Sequence, residues 1–221
     1  MIRFDDIQQQ TPEWHEIKYR KIGGTRSANI IGKGDLNTVF IDLLSEFLEE
    51  YEPFDEDSSF ESYDMLRGNN LEPDARQYLN EYYKINLQTT GWLQNKENKL
   101  LGISPDGITE DNKIACEIKC LSKKEHTRIL YKQQIPEKYI PQCIHYFTVN
   151  PTLDTLFFIA YRPEAPKHFV KVLTRESEVN IGTEKTPIKI SIAKATETAR
   201  TNADTLLQMI EESVEQLTAD F

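Results

Sequence analysis

Apolar side chains recur every three or four residues along several stretches of the chain, a spacing that places them on one face of an α-helix. Between residues 36 and 50, Leu, Val and Phe follow this spacing and predict an amphipathic helix. A second stripe, from Ala199 to Leu217, predicts a long C-terminal helix over about 195–218. Helix-starting residues ahead of shorter stripes predict further helices at 12–19, at 25–32, from Asn70 onward, at 123–131 and at 137–148.

Short apolar or alternating runs bounded by Gly, Pro, Asn or Asp predict the strands. Two of them, at 99–104 and 114–121, are expected to be joined through the turn at Asp111-Asn112. The predicted strands lie at 87–94, 99–104, 114–121, 155–161 and 168–173.

The order of these elements is helices, then three strands, a helix and a strand, which is typical of an α/β domain. We expect a mixed central sheet flanked by helices, with additional N- and C-terminal helices. The chain has 221 residues, so one domain is favoured over two. We divide it into an N-terminal helical part (1–85), a sheet with its helices and the candidate site (86–175), and the C-terminal helix.

The strand at 114–121 carries the first candidate chemistry. Side chains two apart on a strand share a face, so Glu117 and Lys119 point together, opposite an apolar face that includes Cys116 and Ile118. Asp106 lies in a Pro-Asp-Gly turn ahead of this strand. Two carboxylates beside an ammonium suit the binding of a divalent metal and the activation of water for phosphodiester hydrolysis. The alternative is a solvated charge pair on an exposed strand.

Two further positions could extend this site. Glu72 falls in the first turn of the helix predicted from Asn70, where the helix dipole stabilises a carboxylate, or it is a third metal ligand. Arg67 and Arg76 add positive charge nearby, and Arg76 either holds Glu72 at the i, i+4 spacing or contacts DNA. Gln142, on the 137–148 helix, is either a surface residue or an amide that orients a water or a phosphate oxygen.

A cluster of polar residues surrounds the Gly23-Gly24 turn. Backbone N–H groups at a helix N-terminus, with cations nearby, can bind an anion such as a terminal phosphate. A capped helix with surface cations is an equally good reading. The cluster consists of Lys18, Arg20, Thr25, Arg26 and Ser27.

The net charge of −10 is unevenly distributed. Residues 35–64 contain eleven Asp or Glu and no Lys or Arg, and the acid-rich part at 52–61 is expected to be a loop. Residues 113–138 contain seven Lys or Arg and three Glu, and this local basic surface could meet phosphate.

Other chemistries find little support in the sequence. Three cysteines without Cys-X-X-Cys spacing and four scattered histidines argue against a zinc or iron–sulfur site, and the thiols are expected to be reduced. No phosphate-binding P-loop and no metalloprotease helix occurs. No apolar run is long enough to cross a membrane and the N-terminus does not resemble a signal peptide, so no membrane partner and a cytoplasmic location are expected.

Five motifs occur in order and together resemble the YqaJ-type viral recombinase family of lambda-exonuclease-like alkaline exonucleases. The resemblance spans roughly residues 10–165. The motifs are Gln10-X-Thr-Pro-Glu-Trp through Gly32, Arg67-Gly68 through Arg76, Ser104-Pro105-Asp106-Gly107, Glu117-Ile118-Lys119-Cys120 and the region of Gln142.

The resemblance implies a restriction-endonuclease-like core and Mg²⁺-dependent 5′→3′ digestion of one strand of duplex DNA, with two metal ions per site and Mn²⁺ as a possible substitute. It also implies a homotrimer, a free DNA end as substrate and a partner that anneals single strands. The metal ligands would be Asp106, Glu117, Glu72 and the backbone carbonyl of Ile118. Lys119 would position the attacking water, and Gln142 would help to hold the site. Ser104 and the residues from Lys18 to Ser27 would bind the 5′-phosphate, with Arg67 and Arg76 on the DNA.

The chain departs from the family in one respect. The family usually has Trp-X-X-X-Arg ahead of the glycine turn, which is Gly23-Gly24 in this chain. Here Lys18 stands four residues after Trp14, and an arginine follows only at Arg20. Either cation could meet the phosphate. Two alternative functions also stay open: a structure-specific or restriction-like endonuclease, and a non-catalytic protein that uses the acidic block 35–64 for interaction.

Overall fold

The computed structural model describes residues 1–53 and 63–219, and the predicted acidic loop at 52–61 therefore lies mostly outside the described residues. Within this part of the chain no helix combines the length and apolarity that crossing a membrane requires. The helices are α1 (Pro12–Lys18), α2 (Ser27–Ile30), α3 (Leu36–Leu48), α4 (Tyr63–Tyr83), α5 (Lys123–Lys132), α6 (Ile140–Val149) and α7 (Ile192–Thr218).

Nine short strands occur in the same described ranges. They are β1 (Ile2–Phe4), β2 (Trp92–Gln94), β3 (Gly102–Ile103), β4 (Gly107–Ile108), β5 (Ile114–Lys119), β6 (Thr155–Ala160), β7 (Phe169–Leu173), β8 (Glu178–Asn180) and β9 (Lys189–Ser191).

The central sheet has the strand order β4-β5-β6-β7. Strands β5 and β6 are parallel, whereas β4 and β7 pair antiparallel with their neighbours, which confirms the predicted mixed sheet. The parallel pair is possible because α5 and α6 connect its two strands. Strand β5 thus lies inside the sheet, between β4 and β6.

A second sheet, β1-β2-β3, differs from the sequence prediction. The segment 99–104 was expected to form a hairpin with 114–121, but β3 pairs with β2, and β4 takes the place beside β5. Between β3 and β4 lies Ser104-Pro105-Asp106, and Pro105 has no N–H for a sheet hydrogen bond. The chain therefore leaves one sheet there and enters the other.

Both faces of the two inner strands of the central sheet, β5 and β6, are buried. On one face Ala115 and Phe158 belong to a large core that includes residues of α6 and α7. On the other face Cys116, Ile118 and Phe157 pack against α4. The predicted alternation of β5 is therefore correct, but neither of its faces is open to solvent.

Two boundaries of the N-terminal part were predicted wrongly. Strand β1 lies in the segment expected to be helical, and α4 includes Tyr63 rather than starting near Asn70. Pro73, read as a helix start, lies inside α4. Glu72 is consequently in the middle of a helix and not in its first turn.

His145 of α6 is fully buried against β3 and the segment around Ile22. Its Nε2 lies 2.9 Å from the carbonyl oxygens of both Ile22 and Gly102. Burial lowers the pKa of His145 to about 4, although these two hydrogen bonds oppose the shift. The imidazole is therefore neutral in the folded protein at neutral pH.

This histidine is expected to destabilise the fold in acid. The unfolded chain binds the proton at a pKa near 6.5 and the folded chain only near 4, so the free energy of unfolding should fall between these values, by up to about 3 kcal/mol. His145→Gln keeps an N–H donor but no titrating group, and its urea unfolding should depend less steeply on pH from 6.5 to 4. Equal slopes for the variant and wild type would contradict the assignment.

Candidate active site

Glu117 and Lys119 form an ion pair on the face of β5 that looks toward α6. The Glu117 side chain is 0 % exposed, whereas 24 % of the Lys119 side chain is accessible. Lys119 Nζ also lies 5.3 Å from the centroid of the Tyr139 ring. A charge buried to this degree requires a partner, so this is not a solvated pair on an exposed strand.

Helix α6 supplies the partners of the second carboxylate oxygen of Glu117. Gln142 Nε2 donates to Oε2 at 2.9 Å, and the hydroxyl of Tyr146 lies 2.8 Å from the same atom. Their spacing of four residues puts both on one face of the helix. Tyr146 was not among the predicted site residues, although its position one turn after Gln142 was a usable signal.

Asp106 is held at the end of β4 by backbone contacts. Its Oδ2 accepts the Ile118 N–H at 2.6 Å, and its carbonyl oxygen accepts a hydrogen bond from Arg76. A Cβ on Gly107 would lie 2.9 Å from Cys116 Sγ and 3.1 Å from Arg76 Cδ, so only glycine fits after Asp106. The Asp-Gly pair thus lets the loop approach β5 and α4 closely.

Glu72 approaches this group from α4. Desolvation raises its pKa, and the nearby cations Lys119 and Arg76 only partly oppose that shift. Desolvation and the carboxylate of Glu117 raise the pKa of Asp106 well above its usual range. For Lys119 burial alone would lower the pKa, but Glu117 and Asp106 outweigh it and raise the pKa above the usual value. Three carboxyl groups and one ammonium therefore share a poorly hydrated site.

A cavity of about 410 Å³ opens beside these groups. The predicted residues Glu72, Lys119 and Ile118 line it. Its wall also includes Ser122, the N-cap of α5, and Lys138. A phosphodiester could therefore reach Glu72 and Lys119 from this side.

The donor set, which consists of carboxylate oxygens, suits a hard divalent cation. Within the described ranges no group of three or more His, Cys, Asp or Glu is already arranged to hold a metal. Mg²⁺ commonly binds through one or two carboxylates and keeps several waters, so Asp106 and Glu117 would be sufficient. Burial first, and then the negative charges of Glu117 and Glu72, raise the pKa of Asp106, and a bound cation would favour its ionised form. The residues therefore fit Mg²⁺.

Lys18 and Ser104 both contact one tryptophan, Trp14, near this site. Lys18 Nζ lies 3.3 Å from the centroid of the Trp14 ring, and Trp14 Nε1 donates to Ser104 Oγ at 2.6 Å. Ser104 is two residues before Asp106. Desolvation lowers the pKa of Lys18 to about 8.

The remaining cations of the N-terminal cluster have structural partners. Arg20 donates to the carbonyls of Glu46 and Glu49, and Arg26 forms an ion pair with Glu46. Ser27 is fully buried and donates to the Gly24 carbonyl at 2.6 Å. The structure thus directs Arg20, Arg26 and Ser27 toward α3 and the turn itself.

Two other predicted residues, Thr25 and Arg67, have clear positions. Thr25 is exposed on the glycine turn. Arg67 lies 3.4 Å from the carbonyls of Cys120 and Leu121 and pairs with Glu164, so it supports the exit of the chain from β5. Gly24 lies directly against Gln142, because a Cβ on Gly24 would be only 3.2 Å from Gln142 Cγ. The glycine turn therefore borders the site.

Comparison with known proteins agrees with this geometry. The profile of the YqaJ-like viral recombinase domain matches residues 13–152, more than half of the chain. No curated protein matches. The alkaline exonuclease LHK-Exo from Laribacter hongkongensis has a similar structure, with 22 % identity, a TM-score of 0.68 and coverage of 95 % of this chain and 97 % of that one.

A second solved structure is LHK-Exo in complex with dAMP, with 21 % identity, a TM-score of 0.67 and coverage of 95 % of this chain and 99 % of the other. The two TM-scores establish a shared fold. The expected restriction-endonuclease-like core is thereby confirmed.

Proposed function

Since the chain belongs to the YqaJ-like viral recombinase family, we propose that it is a Mg²⁺-dependent exonuclease that digests one strand of linear double-stranded DNA from 5′ to 3′ in phage-type recombination. The observation that carries this proposal is the buried Glu117–Lys119 pair beside Asp106, at the wall of an accessible cavity. A buried charge cluster that is open to a cavity is typical of a catalytic site.

Asp106, Glu117, Glu72 and the backbone carbonyl of Ile118 would hold two Mg²⁺ ions, or Mn²⁺ in their place. Bound metal lowers the pKa of water and stabilises charge on the attacked phosphate. Gln142 and Tyr146 fix Oε2 of Glu117 and so orient the carboxylate. Lys119 is kept cationic by its two acidic neighbours and positions the attacking water.

Further parts of the proposal rest on the family alone. The partners are DNA with a free end, two further copies of this chain in a homotrimer and a protein that anneals the exposed strand. The whole of residues 1–221 forms one nuclease domain. Because its substrate is DNA, the enzyme is proposed to act in the cytoplasm of a bacterial host.

Digestion of duplex labelled at either the 5′ or the 3′ end, with and without Mg²⁺, tests the proposal. Early release of the 5′ label, only when Mg²⁺ is present, is the expected result. Covalently closed circular duplex should remain intact, whereas an endonuclease would cut it. Absence of any hydrolysis would favour the non-catalytic alternative.

Lys18 is proposed to contact the 5′-phosphate, since Arg20 is occupied by α3. A cation beside Ser104 binds a dianionic phosphate much better than a hydroxyl. Linear duplex with a 5′-phosphate should be degraded about tenfold faster than the same duplex with a 5′-hydroxyl. The preference in kcat/KM should decline above pH 8, where Lys18 loses its proton.

Initial rates on both substrates measure this preference. Lys18→Ala should remove it and keep Mg²⁺-dependent hydrolysis, while the control Lys21→Ala, at a lysine that donates to the Lys99 carbonyl, should keep it. Equal rates of wild type on the two ends would exclude a phosphate anchor.

A further inference from the structure

Helix α5 follows strand β5 in the chain, and three of its residues lie on its outward face. Lys124, Arg128 and Tyr131 are spaced by four and three positions, so they form one line along the helix. The opposite face buries His126 and Ile129 against the body of the protein. We call Lys124, Arg128 and Tyr131 the α5 stripe.

The ring of Tyr131 is unusually exposed. Its accessibility is 89 %, the highest among the large apolar side chains of the described ranges. Within these ranges no other aromatic ring lies against it. Both faces of the ring are therefore available to a flat partner.

The surroundings of this ring are basic although the chain as a whole is acidic. The net charge is −10, yet residues 113–138 contain seven Lys or Arg and only three Glu. Lys124 and Arg128 are exposed on the stripe, and Lys132 and Lys138 are exposed beside it. Such a local excess of cations attracts a polyanion such as nucleic acid.

The stripe begins at the rim of the catalytic cavity. Ser122, the N-cap of α5, lines that cavity together with Glu72 and Lys119. Lys138 lines it as well, and its Nζ lies 3.9 Å from Oε2 of Glu125 in the first turn of α5. From Ser122 to Tyr131 the helix rises about 14 Å, which corresponds to about four stacked nucleotides.

We propose that the α5 stripe binds a single strand of nucleic acid that leaves the cavity, with one base stacked on Tyr131 and phosphates near Lys124 and Arg128. Exposed aromatic rings between cations are the usual platform for unpaired bases. Bases inside a duplex are already stacked on both sides, so an isolated ring favours the single strand. The inference rests on the proposed nuclease function and adds the path of the unpaired strand to it.

Binding without metal tests the stripe separately from catalysis. A fluorescein-labelled oligothymidylate, an abasic strand of equal length and a blunt duplex are titrated with full-length protein in EDTA, and anisotropy is measured. Tyr131→Ala should weaken oligothymidylate binding about fivefold to tenfold. The abasic strand should bind equally to wild type and variant, because it offers phosphates but no bases.

Two variants serve as controls. Tyr131→Trp keeps a stacking surface and should restore affinity for oligothymidylate. Tyr82→Ala removes another exposed tyrosine, 68 % accessible and about 15 Å along α4 from Glu72, and should leave affinity unchanged. Lys124→Ala/Arg128→Ala should weaken the oligothymidylate and the abasic strand alike and should flatten the salt dependence.

The proposal is overturned if Tyr131→Ala binds oligothymidylate as wild type does, if wild type binds no single strand, or if the variant loses the abasic strand equally. Hydrolysis of linear duplex by the same wild-type preparation in Mg²⁺ reports on the nuclease function. Active wild type with unaffected single-strand binding by Tyr131→Ala would refute the stripe alone. Inactive wild type would refute the function.

Discussion

Asp106→Asn is expected to lower the rate of Mg²⁺-dependent DNA hydrolysis on the order of 10³-fold. Asparagine keeps an oxygen that can accept the Ile118 N–H, so the turn should retain its shape. The change removes a negative charge that is proposed to hold the Mg²⁺ ion. Since desolvation and Glu117 already oppose ionisation of Asp106, the variant should melt at the same temperature as wild type in EDTA, or higher.

Asp111→Asn is the matched control for this variant. Asp111 lies five residues further on in the same hairpin, where its Oδ1 accepts from Thr109 and Lys113. Its replacement should leave the rate of hydrolysis unchanged. Wild-type rates for Asp106→Asn, measured on end-labelled duplex, would remove Asp106 from the mechanism.

Lys119→Met should abolish hydrolysis and also destabilise the fold. The substitution leaves the fully buried Glu117 carboxylate without its cation, and loss of one partner of a buried pair should lower the free energy of unfolding by about 2–4 kcal/mol. Glu117→Gln should cost less, because Lys119 remains 24 % exposed and can reach water. Urea unfolding without metal measures both effects.

The double variant Glu117→Gln/Lys119→Met separates stability from catalysis. It removes the buried charge of Glu117 together with its cation, so the stability lost through the unpaired Glu117 should return while hydrolysis stays absent. If the single variant Lys119→Met were as stable as wild type, the ion pair would make no contribution to the free energy of unfolding.

The sequence was sufficient to predict strand β5 and the shared face of Glu117 and Lys119. The two-residue period of β5 placed Glu117 and Lys119 together because a strand offers only two faces. The helical period likewise located α3 and α7 within a few residues. Local chemistry defined these elements, and tertiary packing did not override it.

Long-range contacts explain what the sequence did not predict. Pro73 favours a helix start by local rules, yet α4 continues through it. Pro73 has no N–H to give the carbonyl of Asn69, and Asn69 lines the cavity. The pairing of β3 with β2 and the contacts of Arg20 and Arg26 with α3 also join distant parts of the chain, which a local pattern does not encode.

Gly24 touches the side chain that orients Glu117, and this has a consequence for protein engineering. The first thirty or so residues are not a detachable DNA-binding module, because their glycine turn packs directly against the side chain of Gln142. A graft of the catalytic segment alone onto another scaffold would leave this amide unsupported. Successful transplantation requires the turn and α6 to be moved as one unit.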